Sequence, residues 1–170
     1  MRMLTDMVFE SFVRDELPYS DEDVIKFALG YHLFKKRDAR VGFSIKHAAS
    51  KIEDEPSLRF SPDVDVWEEH DGQPMTLIGY EVKSWGRSQQ KVPRSELNKA
   101  IGQALMLLEQ PYNGDSVLNR AYIGIPPMKL DSDWEKAFIR TIRDLPIGLV
   151  LITTDGLEEM IDAEDVEVKN

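Results

Sequence analysis

The chain has 170 residues, 31 Asp and Glu against 21 Lys and Arg for a net charge of −10, no Cys, and 42% hydrophobic residues. That length makes one domain, residues 1–170, with room for a real core. The absence of cysteine excludes disulfides, Cys-based zinc sites and thiol nucleophiles, and three scattered histidines, His32, His47 and His70, leave little for a His-rich metal site. The longest apolar runs, such as 147–152, fall far below the roughly 18 residues of a membrane span. Asp6 and Glu10 interrupt the start where a secretory signal keeps an uncharged core, so the expectation is a cytoplasmic protein with no membrane partner.

The first third reads as helical: a segment over 4–16 broken at Pro18, then Ser20-Asp21-Glu22-Asp23, a capping-box-like start that opens a helix to about residue 36. Val24, Ile25, Ala28, Leu29, His32 and Leu33 recur at helical spacing and mark its core side. Residues 40–47 read as a strand or a helical turn. Clearer strands follow over 63–67 and 75–83, joined by the turn-rich His70-Asp71-Gly72-Gln73-Pro74. A helix over 95–110 carries the stripe Leu97, Ile101, Ala104, Leu105 and Leu108, and a strand over 121–125 stops at Pro126-Pro127. Residues 131–135 cap a helix to about 144 with Trp134, Phe138, Ile139 and Ile142 inward, and 147–153 is apolar enough for a strand buried on both faces. The order predicts an α/β layer with a hairpin at its centre.

Chemistry concentrates in Ser61-Pro62-Asp63-Val64-Asp65 and Tyr80-Glu81-Val82-Lys83. Glu81 and Lys83, two apart on a strand, leave the same face about 6.6 Å apart, while Ile78, Tyr80 and Val82 on the other face are apolar. Charges in such a strand need a partner or a metal. A two-residue turn would send Asp63 to the opposite face. A loop from His70 to Pro74 pairs Glu69 with Met75 and sets Asp63 opposite Glu81, and Pro74, which cannot donate to a ladder, favours it. Asp63, Asp65, Glu81 and Lys83 then share a face. Two carboxylates that close repel unless a cation lies between them, and a hard ion such as Mg²⁺ suits them. The bland alternative is an exposed ion-pair ladder, each pair contributing about 0–1 kcal/mol. Trp67, Tyr80 and Trp85 read as core aromatics.

These residues resemble the PD-(D/E)XK nuclease superfamily, which includes many type II restriction enzymes, archaeal Holliday junction resolvases and RecB-type nuclease domains. Pro62-Asp63 matches the first half of the motif and Glu81-Val82-Lys83 the second. Ala100-Ile101-Gly102-Gln103-Ala104-Leu105 is similar to the helix that follows the motif in that family and often carries a functional Gln. The resemblance covers roughly residues 20–125. It implies a restriction-endonuclease-like core, a central mixed sheet flanked by helices in the order α-β-β-β-α-β, here with a further α-β. It also implies Mg²⁺-dependent hydrolysis of DNA, with Mn²⁺ able to substitute. Asp63 and Glu81 would be ligands, Lys83 would polarise phosphate or water, and Gln103 would support the site. Asp65 is an alternative to Asp63, and Glu22 or Glu10 is the candidate for a ligand from the helix before the first strand.

Arg87, Lys91 and Arg94 lie in an acid-free stretch, either a solvated loop or a contact for the phosphate backbone. The charge of −10 argues against nucleic acid taken alone. Residues 155–170, however, hold seven acids against one base, leaving 24 acids and 20 bases on the other 154 residues. The acidity is thus largely a C-terminal feature, a solvated tail or a cover over a basic surface. DNA is the expected partner, with a homodimer in keeping with nucleases that cut duplexes. The alternative is a catalytically inactive member of the fold that binds nucleic acid or a protein partner.

Overall fold

The computed structural model describes residues 22–36, 40–43, 58–60, 64–71, 76–85, 91–109, 111–112, 116–153 and 155–164. The helix expected over 4–16 and the Ser20-Asp21 helix start lie outside these residues.

Helix α1 (Glu22–Lys36) has Glu22 and Asp23 in its first turn, where the helix dipole favours acids. The stripe Val24, Ile25, Ala28, Leu29, His32 and Leu33 is buried throughout, as its spacing predicts. Strands β1 (Arg40–Phe43), β2 (Leu58–Phe60), β3 (Val66–His70) and β4 (Thr76–Val82) follow. Next come α2 (Arg94–Glu109), the short pair β5 (Pro111–Tyr112) and β6 (Ser116–Val117), β7 (Arg120–Ile125), α3 (Asp133–Arg143), β8 (Ile147–Ile152) and β9 (Leu157–Ile161).

Seven strands form one mixed sheet in the order β2-β1-β3-β4-β7-β8-β9, and β5 pairs with β6 apart from it. Strands β3 and β4 make an antiparallel hairpin, whereas β4, β7 and β8 run parallel. Parallel neighbours need long crossovers, which α2 and α3 supply. The α/β class and the central mixed sheet flanked by helices agree with expectation. Strand β2, the β5–β6 pair and β9 are additions to the expected order. The acidic C-terminal segment contributes an edge strand rather than a tail over 157–161: Leu157 and Ile161 are partly buried against the core, and Glu158, Glu159 and Met160 are exposed.

Two cores lie on the two faces of the sheet. On one, α1 packs over Val41, Val66, Ile78, Tyr80, Val82, Tyr122, Val150 and Ile152. On the other, α2 and α3 pack over Trp67, Leu77, Ala121, Ile123, Ile125, Ile147, Leu149 and Leu151. Every residue of β8 is buried, as a continuous apolar run on a two-sided sheet requires. Gly148 is needed for close approach, since a Cβ there would come within 2.3 Å of the Tyr122 ring and 2.7 Å of the Ile161 carbonyl. Helix α3 begins with a full capping box, in which the Ser132 hydroxyl accepts from the Glu135 amide and the Glu135 carboxylate accepts from the Ser132 amide.

Candidate functional site

The hairpin register differs from the expected one by a measured amount. Val66 pairs with Tyr80 and His70 with Thr76, so the connection is 71–75 rather than 70–74. Each strand has slid by one residue, which changes the partner of Glu81 by two and leaves every side chain on its expected face. The β3 end is held by Arg40, which pairs with both Glu69 and Asp71, and by His70, which donates to Glu68. Those bonds keep Glu69 and His70 in the ladder. The consequence is that Asp65 comes beside Glu81: the Asp65 Oδ2 accepts from the Val82 amide at 2.8 Å. Asp63 itself lies outside the described residues, as do Glu10 and Arg87.

Glu81 and Lys83 stand on the sheet face covered by α2, the face of Leu77, at the carboxyl end of β4. Each is only 7% exposed, which rules out a solvated surface ladder, and Lys83 Nζ lies 2.6 Å from Glu81 Oε1. Burial pulls the Lys83 ammonium down, but the hydrogen bond and charge of Glu81, with Glu22 and Asp65 adding, outweigh it and leave its pKa raised. Lys83 is therefore a fixed cation at neutral pH. Burial and the Asp65 charge push the Glu81 carboxyl up against the opposing pull of Lys83, and Glu22 adds to the rise. Asp65 and Glu22 thus act on Glu81 as neighbouring like charges.

A second cation completes the cluster. Lys26, one turn beyond Glu22 on α1, places Nζ 2.9 Å from Glu22 Oε1 and 2.7 Å from Asp65 Oδ1. Its side chain is 8% exposed, that of Asp65 16% and that of Glu22 42%, so the group opens to solvent on the Glu22 side. Burial pulls Lys26 down as well, but Asp65 and then Glu22 outweigh it, and its pKa is raised. Lys26 was not a candidate in the sequence. The signal for it was the i,i+4 spacing from Glu22, in a lysine that also sits three residues before the core residue Leu29.

The remaining candidates are dispersed. Gln103 is exposed on α2. Lys91 pairs at 2.9 Å with buried Glu135, and the Arg94 guanidinium lies 5.1 Å from the centroid of the Trp134 ring, so they tie the start of α2 and the residues just before it to α3. Both remain exposed at the surface. Trp67 and Tyr80 are buried in the core, and Trp85 packs partly buried against the α2 side. Tyr80 also has a polar task, donating to Glu68 at 2.6 Å.

Three carboxylates are hard oxygen donors of the kind Mg²⁺ or Mn²⁺ takes. Among the described residues, however, no three acidic or imidazole side chains converge closely enough to hold an ion. Lys26 and Lys83 stand on the oxygens instead. No protein-family model, curated protein or solved structure matches the chain. Among the described residues no helix is long and apolar enough to cross a membrane.

Proposed function

We propose that the chain is a divalent-metal-dependent deoxyribonuclease with a restriction-endonuclease-like core. The observation that carries this reading is the buried Glu81–Lys83 pair at the carboxyl end of β4, with Asp65 bonded to the amide between them. Open α/β sheets bind ligands outside the carboxyl ends of their parallel strands, and β4, β7 and β8 are parallel. The resemblance of Pro62-Asp63 and Glu81-Val82-Lys83 to the nuclease motif supports the same reading.

Glu81 and Asp65, with Glu22 and with Asp63 from outside the described residues, would hold the ion. Bound there, it supplies Lewis-acid polarisation of a phosphoryl oxygen and a more acidic attacking water. Lys83, kept cationic by Glu81, donates to the phosphate and offsets charge developing on its oxygens; as an ammonium it is not a general base. Asp65 fixes the β4 backbone through the Val82 amide, which holds the Glu81 and Lys83 side chains in register. Hydrolysis adds water across one P–O ester bond and leaves a phosphate monoester and a hydroxyl. Exposed Lys91, just before α2, and Arg94, at its start, are the proposed contacts for DNA backbone. With no separate recognition module along the chain, cleavage directed by DNA structure or by a partner fits better than cleavage at a sequence.

The test is incubation with plasmid, single-stranded and branched DNA in Mg²⁺ or Mn²⁺, beside Lys83→Met. Wild-type cleavage that falls about 10²–10³-fold in the variant is expected; no cleavage by wild type, or equal cleavage by both, overturns the reading. One observation favours a second reading, a non-catalytic binder of nucleic acid or protein: each carboxylate of the cluster already has an ammonium on it. Calorimetric titration with Mn²⁺ separates the two: binding that disappears in Glu81→Gln favours the enzyme, and no binding favours the non-catalytic binder.

A further inference from the structure

Lys26 is an unusual resident for a helix face packed on a sheet. A buried ammonium is tolerated only when its charge is met, and Lys26 meets two carboxylates from different elements, Glu22 of α1 and Asp65 ahead of β3. It thereby occupies the space between two of the three acids that the nuclease reading assigns to a metal. The N–O distances of 2.7 and 2.9 Å fit an ammonium. A Mg²⁺ ion needs oxygens at about 2.0–2.1 Å, so the same oxygens would have to draw inward once the ammonium left.

Resting on that reading, we propose that Lys26 is a tethered counter-cation that competes with the divalent ion for Glu22 and Asp65, so that metal binds only in the fraction of molecules whose Lys26 has swung out. The competitor is covalently attached and never dilutes away. The apparent dissociation constant is the intrinsic one divided by the competent fraction, so a side chain inward in nine molecules of ten weakens binding about tenfold. The exit route runs past Glu22: it is the exposed member of the group, at 42%, and a Lys stem can carry its ammonium outward along the helix surface while its methylenes stay packed. Asp65 would not be left bare, because its other oxygen keeps the Val82 amide. Incoming DNA offers phosphate oxygens to the released ammonium, which couples metal loading to substrate.

The experiment measures Mn²⁺ affinity of the full chain by calorimetry and by Mn²⁺ electron paramagnetic resonance, without DNA, for wild type, Lys26→Met and Lys26→Gln. Both variants are expected to bind Mn²⁺ at least tenfold more tightly than wild type, and their melting temperatures to rise more with added Mn²⁺. Equal or weaker binding in the variants overturns the inference, as does an absence of Mn²⁺ binding in all three proteins. Should Lys26→Met fail to fold without metal, Mn²⁺ titration at fixed denaturant reads the same quantity: recovery of the folded state by metal supports the competition, and no recovery sinks it. Tighter binding in variants of a protein that cuts no DNA would leave this inference standing and remove only the nuclease reading. Cleaving variants with unchanged affinity would do the reverse.

Discussion

The hairpin of β3 and β4 buries a carboxylate on each face of the sheet, and the two are handled in opposite ways. Glu68, on the α1 face, is fully buried and accepts from the Tyr80 hydroxyl at 2.6 Å and from His70 at 3.0 Å. Glu81, on the α2 face, has the Lys83 ammonium at 2.6 Å but also feels Asp65 and Glu22, and its pKa is raised. Glu68 is served by donors and joins strand to strand; Glu81 sits among like charges beside a solvent-facing acid. Burial of charge alone therefore does not mark a site. What sets the proposed site apart is an excess of like charge at the opening of a strand end, which on that reading leaves a standing demand for a cation.

The largest expected effect tests that contrast directly. A bound ion stabilises the folded state by about 2.7 kcal/mol at a free concentration one hundred times its dissociation constant. With Mn²⁺ at that level, wild type and Tyr80→Phe are expected to show this full stabilisation in denaturant unfolding, and Glu81→Gln none. A metal response that survives Glu81→Gln but is lost in Tyr80→Phe would place the cation demand on the wrong face.

Without metal, Tyr80→Phe probes the other half. The ring and its stack on Tyr122, with centroids 5.3 Å apart, are kept, and one donor to a fully buried carboxylate is lost. The expected cost is about 1–3 kcal/mol in urea unfolding, with DNA cleavage unchanged. A cost below the error of the measurement would mean that Glu68 does not depend on its hydroxyl partner.

How far the sequence anticipates this contrast depends on the range over which each feature is decided. The α1 stripe and the capped start of α3 are local patterns, and both are legible in full. The shared face of Glu81 and Lys83 follows from strand alternation, which survives the register slide because the partner of Glu81 changed by two. What the sequence does not show are pairings across long gaps. Lys26 meets Asp65 from 39 positions away, and Tyr122 donates to Asp162 from 40. The strand expected over 63–67 runs instead over Val66–His70, because the adjacent acids Glu68 and Glu69 break the alternation and only Tyr80, His70 and Arg40 make their burial tolerable. Strand β9 is concealed, since an edge strand needs only Leu157 and Ile161 to pack inward.

Another buried carboxylate, Glu135, extends the comparison beyond the hairpin. It is served entirely by donors, the Ser132 amide at 2.9 Å and Lys91 Nζ at 2.9 Å. Ser132→Ala removes the cap hydroxyl and is expected to cost about 1 kcal/mol in thermal or urea unfolding, with metal response unaltered. A loss of Mn²⁺ binding in that variant would mean that the tie from Lys91 to α3 shapes the site as well as the fold.

The smallest effect is the most discriminating, because the two kinds of carboxylate titrate in opposite senses. The bonds from Ser132 and then Lys91 hold the Glu135 carboxyl down at about 2, against an ordinary value of 4.5. Its stabilisation is therefore complete above pH 4.5 and drains away as pH falls toward 2. Glu81 is raised, so the folded chain takes up its proton before the unfolded chain does, and stability climbs as pH falls through the folded-state pKa toward 4.5. Subtracting the urea midpoints of each Gln variant from those of wild type, from pH 7 to pH 2.5, cancels the acids common to both. The difference for Glu135→Gln should decline with acid only below pH 4.5, and that for Glu81→Gln should rise with acid only above it. Two differences of the same sign would show that Glu81 is a satisfied structural acid like Glu135, with no standing demand for a cation.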